Sequence, residues 1–403
     1  MGRETRRDVA VVVGVCALTL LLGAAGKACR GFWHQPASFL CHSDIRALYP
    51  LRGVDRDLFP YVHGELRVRF DPRPPSRYHL RPVGGAYEYP VLTGVVMWLP
   101  SAVTSDDDTY LAASILLLAP FGLAAAWLLA RMVGQRALLW SASPILLLYA
   151  FHNWDLPPVA ASVLGFWCWW RGRRLAAAGA FGAGAAWKLF PLLFLVPLVL
   201  ERLVERDRAG AARTAGVGLA TVALLNLPVA MASPEGWAIA YRFQALRPPN
   251  YDSLWGVLRT AFELDHAAIN ALSSIATVAV LAVVGWLLVR RAGREGSFPF
   301  LPACAALLAG FLLVSKVHSP QYALWLLPLF ALVAVRTPWY VAFVAGNVLL
   351  YAAIFGVSTW SLAARDVLVW WGVWVRTATF LGLCVAFLRA PTAVARPPRR
   401  DPR

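Results

Sequence analysis

The sequence predicts an all-α polytopic membrane protein, a bundle of about twelve transmembrane helices. Of its 403 residues, 59% are hydrophobic and only 15% are charged. The charged residues are clustered, so they separate apolar stretches close to the ~20 residues that span hydrocarbon. A soluble protein could not bury so much apolar surface, and the composition therefore excludes a chain of soluble domains.

The basic residues mark the ends of apolar stretches and form no single patch. The net charge is +16, and nearly all of the basic residues are arginine. Cytoplasmic loops of membrane proteins carry the excess of basic residues, so we expect both termini in the cytoplasm. Because the basic residues form no single patch, we expect no binding of nucleic acid. One membrane domain then covers residues 1–390, and residues 391–403 form a basic cytoplasmic tail. The short apolar segment 89–103 either crosses the membrane or lies at its surface.

The polar residues that interrupt apolar segments fall on the opposite, outer face in this topology. Residues 29–88 form the first outer loop, and residues 233–267 form the second large one. Shorter polar breaks read HNWDLPP (152–158), WKLFP (187–191) and SKVHSPQY (315–322). The inner loops are short and consist mostly of Arg, Gly and Ala. This one-sided distribution predicts a functional site at the outer surface of the membrane.

Two lysines lie in these breaks, and the only other lysine is Lys27. Lys188 interrupts a long apolar run just before Pro191, so we expect the helix to bend or split there. A lysine at bilayer depth costs ~2.5–3.5 kcal/mol on insertion scales. It therefore faces a partner or a water-filled cavity, unless it snorkels to the headgroups. Lys316 has the same two alternatives.

The break SKVHSPQY places several hydrogen-bond donors around a proline. Lys316, His318, Gln321 and Tyr322 lie within this one segment, and Pro320 permits a turn that gathers them. An ammonium, an imidazole, an amide and a hydroxyl group together suit a phosphate or pyrophosphate. The break is therefore a candidate phosphate-binding site.

The segment HNWDLPP is expected to open a helix. Asp155 before Leu-Pro-Pro is a good N-cap, with proline in the first turn. Alternatively, Asn153 and Trp154 line a sugar pocket in which the indole lies against a pyranose ring.

The segment SDIRALYPLRG predicts a short amphipathic helix whose Ile45, Leu48 and Tyr49 lie on the bilayer. Asp44 at its start is either an N-cap or a carboxylate that accepts a proton from a hydroxyl. Glu88, in the segment YEYP, is the second candidate for such a base.

The second large loop, 233–267, is polar enough to be a lid or an acceptor-binding surface. Arg242, Arg247 and Asp252 lie in it among aromatic residues. The alternative is an ordered outer loop without a direct role.

Nucleotide-binding and metal-binding patterns are missing from the sequence. It has no GxxxxGK[ST], HExxH or GxSxG motif, and its six cysteines have no metal-ligand spacing. Cys29 and Cys41 share one outer loop, where a disulfide could persist. We therefore expect no metal and no cofactor. A membrane transferase without a nucleotide site would take its activated group from a lipid carrier.

The order of several segments resembles a known family. These segments are SDIRALY, YEYPVLTGVVMWLP, NWD, WKLFP, RPPNYDSLW and SKVHSPQYALWLLPL. The ordered set resembles the polyprenol-phosphate-mannose-dependent mannosyltransferases of glycosyltransferase family 87, in the GT-C superfamily, over about residues 9 to 390. The arginine-rich stretch at 65–82 departs from that pattern and leaves the acceptor open.

The resemblance implies a GT-C-like membrane bundle whose active site opens to the outer face. It implies transfer of a sugar, mannose in the family, from a polyprenyl monophosphate to a glycolipid or glycan acceptor. The reaction would invert the anomeric carbon and would use neither metal nor nucleotide. The family's catalytic aspartate matches Asp44, with Asp57 and Glu88 as rivals.

The other site residues follow from the same resemblance and from the breaks. Those expected to bind the donor phosphate are Lys188, Lys316, His318, Arg242 and Arg247. Those expected to contact the substrates are Tyr87, Glu88, Tyr89, Asn153, Asp155, Asp252, Gln321 and Tyr322. Broken helices with buried cations are also typical of secondary transporters, here a flippase or transporter for a lipid-linked sugar. A transporter with inverted repeats should show matching halves, and WKLFP and SKVHSP do not recur at related positions.

Overall fold

The structure, a computed structural model, describes residues 3–28, 40–56, 58–73, 76–355 and 362–394. The helices of its first half are α1 (Arg3–Lys27), α2 (Asp44–Leu51), α3 (Val91–Trp98), α4 (Asp107–Val133), α5 (Leu138–Ser141), α6 (Pro144–Tyr149), α7 (Leu156–Trp170), α8 (Arg174–Ala185) and α9 (Leu192–Val204). Those of its second half are α10 (Arg208–Ala232), α11 (Pro234–Leu246), α12 (Leu254–Phe262), α13 (His266–Glu295), α14 (Phe300–Val314), α15 (Ala323–Leu332), α16 (Thr337–Phe355) and α17 (Leu362–Arg389).

Six helices in the described part of the chain are long and apolar enough to cross a membrane. They belong to α1, α4, α10, α13, α16 and α17. The remaining apolar helices, such as α14 and α15, are shorter than a full bilayer crossing requires. The membrane character expected from composition is confirmed, whereas the number of about twelve crossings stays a prediction.

The helix breaks that the sequence predicts are present. Lys188 lies between α8 and α9, and residues 315–319 separate α14 from α15. Proline begins the new helix in both places: Pro191 is the N-cap of α9, and Pro320 opens a 3₁₀ turn that leads into α15. Each break places polar residues at the end of an apolar helix, close to other polar residues.

Helix α2 is amphipathic, as expected, but its apolar side does not lie on a bilayer. Ile45 and Tyr49 are buried in the protein core, and the Tyr49 ring stacks on Tyr110 of α4 with centroids 4.5 Å apart. Arg46 is also buried, and its Nη2 donates to Asp108 at 2.6 Å. The first turn of α4 thus provides both an aromatic and an ionic partner, which a single-helix argument cannot foresee.

The expectation of an all-α chain is wrong at one place. Strands β1 (Glu65–Asp71) and β2 (Arg77–Val83) form an antiparallel hairpin within the first loop. Arginines alternate there with apolar residues, which is the period-2 pattern of a strand with two unlike faces.

Hydrogen bonds tie both ends of helix α3 to neighbouring segments. Tyr89, just before it, accepts a hydrogen bond from Asn153, and Met97 near its end accepts one from Tyr110 at the start of α4. Its 8 residues are far fewer than the ~20 that a crossing needs. This favours a helix at the membrane surface for the segment 89–103.

Candidate active site

Two of the polar breaks, WKLFP and SKVHSPQY, meet at one cavity of about 490 Å³. The third, HNWDLPP, adds no residue to the lining, but its Asn153 bonds to Asp44 and Lys188, which do line the cavity. The cavity walls include Asp44 of α2, Lys188 from the α8–α9 break, Arg247 from the end of α11 and Lys316 from the α14–α15 break. Their sequence separations are large, so only the tertiary fold brings them together. The volume lies within the range typical of small-molecule sites.

Asp44 starts α2 without capping it. The N-cap position is held by Ser43, and no side chain caps the helix. Ser43 Oγ instead donates to Phe151 O at 2.8 Å, and the Asp44 amide donates to His152 O at 2.7 Å. These bonds tie the start of α2 to the loop before α7, so the Asp44 side chain, 30% exposed, is free to face the cavity.

The Asp44 carboxylate is held on both oxygens. Asn153 Nδ2 donates to Oδ2 at 2.9 Å, and His42 Nε2 lies 3.4 Å from Oδ1. Burial opposes ionisation, but His152, at 3.7 Å, and the hydrogen bonds from His42 and Asn153 hold the pKa of Asp44 below its ordinary value. Asp44 is therefore an ionised acceptor at neutral pH.

His152 is enclosed beside this carboxylate. Burial lowers the pKa of His152 to about 3, so the imidazole is neutral at physiological pH. In the described chain, His42, Asp44 and His152 form the group that could hold a metal ion, with their ligand atoms within 4.8 Å of one another. Two imidazoles and a carboxylate are ligand types that suit a divalent cation.

Asn153 joins Asp44 to the buried lysine. Its Oδ1 accepts from Lys188 Nζ at 3.0 Å, while its Nδ2 donates to Asp44. Lys188 Nζ also donates to Asp155 Oδ1 at 2.7 Å, and Trp325 Nε1 donates to the same oxygen at 2.6 Å. Asp155 makes no side-chain cap of α7. Asp155 thus occupies the N-cap position of α7 with proline in the first turn, as expected, but its carboxylate pairs with Lys188 and does not cap the helix.

Aromatic rings surround Lys188. Its Nζ lies 5.5 Å from the Tyr89 ring centroid and 5.9 Å from those of Tyr322 and Trp325. Tyr322 stacks on Trp325 with centroids 3.7 Å apart, and both line the cavity together with Gln321. The cation–π contacts stabilise the ammonium, and the rings offer a surface on which a sugar could lie.

Lys316 faces the cavity from the opposite break. Its Nζ donates to Ala245 O at 2.9 Å and Arg247 O at 3.3 Å, and also to Asn270 Oδ1. These bonds satisfy the uncapped carbonyls at the end of α11. Burial and then the charge of Arg247 lower the pKa of Lys316 to about 8. Lys316 therefore positions α11 and adds positive charge to the cavity wall.

Glu88 lines the cavity, but its carboxylate is occupied. Arg52 Nε and Nη2 donate to its two oxygens, each at 2.6 Å. Such a bidentate pair is a poor proton acceptor, which favours Asp44 over Glu88 as the base. The rival Asp57 lies outside the described residues. Sequence reasoning missed Arg52, although the spacing of Asp44, Leu48 and Arg52 places all three on one side of α2.

Two predicted residues of the outer loops are not brought to the cavity. On α11 the lining positions include Ala240, Phe243, Gln244 and Arg247, which recur at helical spacing. Arg242 is exposed on another side of that helix. Tyr87 is buried instead, and its ring packs edge-on against Tyr61 with centroids 5.9 Å apart.

His318 and Asp252 are buried away from the cavity lining. His318 Nδ1 lies 3.2 Å from Leu312 O, and its ring packs against Phe380 at 5.4 Å. Asp252 lies 3.6 Å from Arg376 of α17. Gln321 and Tyr322 line the cavity whereas His318 faces the core. The geometry therefore supports neither the donor-phosphate contact predicted for His318 nor the substrate contact predicted for Asp252.

Lys27 is a further residue of the site region that sequence reasoning did not assign. Its Nζ donates to His42 O at 2.6 Å and to Tyr351 OH at 3.1 Å. It thus fixes the backbone two residues before Asp44. The sequence signal that could have identified Lys27 is the rarity of lysine. The chain has three lysines, and all three lie in the cavity wall or beside residues that hold it in place. Cys41 nearby is disulfide-bonded, as the shared loop had suggested, and Cys29 lies outside the described residues.

Comparison with known proteins identifies the family. The model of glycosyltransferase family 87 matches residues 87–315, more than half of the chain. That stretch contains Asn153, Asp155 and Lys188 of the cavity network. No curated protein and no solved structure matches the chain. The length of the family match shows that this membrane protein belongs to glycosyltransferase family 87.

Proposed function

We propose that this glycosyltransferase moves a sugar, mannose by resemblance, from a polyprenyl phosphate to a hydroxyl of a glycolipid or glycan at the outer face of the membrane. The observation that carries the proposal is the shared cavity, in which an ionised carboxylate and several cationic side chains lie among apolar walls. Family membership favours a transferase over the transporter alternative.

The transfer would be a single displacement. The acceptor hydroxyl oxygen attacks the anomeric carbon of the donor, and its proton passes to Asp44. The bond between that carbon and the phosphate oxygen breaks, and polyprenyl phosphate leaves with the electron pair. Attack opposite the leaving group inverts the anomeric carbon. The ionised state of Asp44, held by Asn153 and His42, keeps it ready to accept the proton.

The leaving phosphate would be stabilised by the cationic side of the cavity. Lys188 uses two of its N–H groups on Asn153 and Asp155, which leaves one for the phosphate. Arg247 donates to Asn250 through Nη2 at 3.0 Å and also lines the cavity. Lys316 adds charge close by. Positive groups placed where negative charge develops are the main means of lowering such a barrier.

The apolar part of the cavity would hold the start of the isoprenoid chain. Leu189, Phe190, Phe243 and Phe311 line it, and Leu189 is 46% exposed. An apolar wall that reaches the protein surface beside a lysine suits a lipid whose headgroup is a phosphate. The aromatic pair Tyr322 and Trp325 would then lie beside the sugar.

The experiment that tests the donor class uses purified protein with two radiolabelled donors, polyprenyl-phosphate mannose and nucleotide-linked mannose. Membrane lipids serve as acceptors, and a metal chelator is present throughout. We expect a labelled glycolipid product, separated from the donor by chromatography, to form from the polyprenyl donor alone. Transfer from the nucleotide donor, or transfer that requires added divalent metal, would contradict the proposal.

A further inference from the structure

The hairpin formed by β1 and β2 has one strongly basic face. In the antiparallel register Arg67 pairs with Arg81, and Arg69 pairs with His79. Like charges directly opposite each other destabilise a hairpin, so these residues do not serve its folding. In the part of the chain that is described, Arg69 and Arg81 make no hydrogen bond or ion pair. Arg67 instead pairs with Glu65 on the same face, its Nε 3.3 Å from Oε2, so the face offers the guanidinium groups of Arg69 and Arg81 to an outside partner.

The other face of the hairpin is apolar and partly exposed. Its cross-strand pairs are Leu66 with Pro82, Val68 with Leu80 and Phe70 with Tyr78. Val68 is 40% exposed and Phe70 49% exposed. Binding of a soluble anion would need only the basic face of the hairpin. Binding to a lipid surface would use the basic face for the headgroups and the apolar face for the hydrocarbon.

The two ends of the hairpin are fixed beside two membrane-spanning helices. Ser233, directly after α10, donates to Tyr61 O at 2.8 Å near the start of the hairpin. Asp265, directly before α13, accepts from the Ser76 amide at 2.9 Å. The Tyr78 ring packs on His266, the first residue of α13, at 4.7 Å. The hairpin therefore lies at the level where both spans end.

Those two spans leave their apolar surfaces largely uncovered. Only 11% of the apolar window of α10 and 17% of that of α13 is buried within the protein. Lipid must therefore surround both helices up to their ends. The headgroup layer above the hydrocarbon is about 5–7 Å thick, which an arginine side chain can cross. The hairpin thus lies within reach of lipid phosphates.

We propose that the β1–β2 hairpin binds the phosphate groups of anionic lipids in the outer leaflet. Val68 and Phe70 enter the boundary of the hydrocarbon, while Arg69 and Arg81 reach the phosphates of the headgroup layer. The positive charge of these side chains attracts the phosphates of anionic lipids. Lipid binding by the hairpin would also hold the neighbouring helix α11 in place, and one side of α11 lines the cavity.

The test places a fluorophore on His79→Cys in the full-length protein. The native cysteines described here are buried or disulfide-bonded, so the label is specific for the new thiol. Nanodiscs contain phosphatidylcholine with or without phosphatidylglycerol, and a trace of lipid with a nitroxide on its headgroup quenches the label at short range. Three variants are compared: Arg69→Gln/Arg81→Gln, Arg69→Lys/Arg81→Lys and Arg213→Gln/Arg294→Gln. The last pair changes two exposed arginines towards the opposite ends of α10 and α13.

In the protein that carries only the labelled cysteine, we expect phosphatidylglycerol to increase the quenching of the label. Each of the two arginines should raise the equilibrium constant for contact between the hairpin and the lipid by about fivefold. Arg69→Gln/Arg81→Gln should lose that increase, whereas the lysine pair and the Arg213/Arg294 pair should keep it. Equal quenching in both lipid mixtures, or an unchanged increase in the glutamine pair, would overturn the proposal. A loss in the lysine pair would also contradict attraction by charge.

A second arm separates lipid from free phosphate. In detergent without lipid, millimolar inorganic phosphate should leave the fluorescence of the label unchanged. A response to phosphate alone would show an anion site that needs no membrane, and the lipid proposal would fail. Since the readout involves no sugar transfer, a negative result leaves the proposed function untouched.

Discussion

Asp44 combines two properties that a base in this cavity requires. Its carboxylate is exposed enough to meet an acceptor hydroxyl, yet it is oriented by Asn153 and by the backbone bond to His152. The same asparagine orients Lys188, so one amide sets the distance between the proton acceptor and a cation for the leaving phosphate. We therefore propose that Asn153 positions Asp44 and Lys188, while the sugar contact suggested by the sequence stays a prediction.

We expect Asn153→Ala to lower the rate of transfer by about a hundredfold, because misplaced catalytic groups cost about this much. The KM for the donor should change far less than kcat, since Asp155 still pairs with Lys188. The measurement is steady-state transfer with radiolabelled donor. The matched control is Asn347→Ala, a buried asparagine that bonds only to its own helix α16. Equal losses in both variants would indicate a general packing defect.

The charge of Lys316 should give donor binding an alkaline limit. Its pKa of about 8 means that the ammonium is charged below that pH and becomes neutral as pH rises through it. We therefore expect the donor KM to rise above about pH 8 in the native protein. Arginine stays charged in this range, so Lys316→Arg should shift the limit to higher pH. A limit that stays near pH 8 in the variant would belong to another group.

Two helix breaks supply polar residues of the cavity. The α8–α9 and α14–α15 breaks carry Lys188 and Tyr322 to the cavity, and close packing of their helices fixes where each break lies. Helices α8 and α10 approach closely through small residues. A Cβ atom on Gly182 would lie 2.4 Å from Gly218 O, a backbone atom that cannot move alone.

We expect Gly182→Ala to separate α8 from α10 and to destabilise the protein by about 1–3 kcal/mol, the usual cost of overpacking. The measurement is thermal unfolding in detergent. Gly179→Ala, one turn away on α8, is the control, because its new Cβ would meet its nearest atom at an ordinary 3.8 Å. A melting temperature lowered equally in both variants would reflect the helix itself and would contradict a clash with α10.

For the molecule as a whole, the sequence indicated the membrane class, the helix breaks and the grouping of Asp44, Lys188 and Lys316. The breaks at Lys188 and Lys316 follow from the high cost of charged groups in apolar sequence, which is a local property, whereas Asp44 was indicated by its place at the start of an amphipathic helix and by the family resemblance. The sequence did not show that Arg242 is exposed on α11 while Arg247 lines the cavity. The rotation of α11 about its own axis depends on contacts with residues distant in sequence. The inward packing of α2 was missed for the same reason. The β1–β2 hairpin, by contrast, has a local signal, the alternation of arginines with apolar residues, which the sequence analysis did not use.

The arrangement of charges predicts which face the site occupies. We expect Asp55→Cys, at an exposed position near the cavity face, to react with a membrane-impermeant maleimide in intact cells. Arg294→Cys, at the other end of α13, should react only after the membrane is permeabilised. The opposite labelling pattern would place the cavity on the cytoplasmic side and would contradict an outer-face reaction.

The most direct test of the account is single-turnover transfer by Asp44→Asn with saturating radiolabelled polyprenyl-phosphate sugar. Asparagine keeps the size of the side chain but cannot take the proton, so we predict a loss of about a hundredfold or more in rate with donor binding intact. Asp55→Asn, an exposed acid of the same loop, should transfer at the native rate. Undiminished transfer by Asp44→Asn would contradict the role of Asp44 as the base.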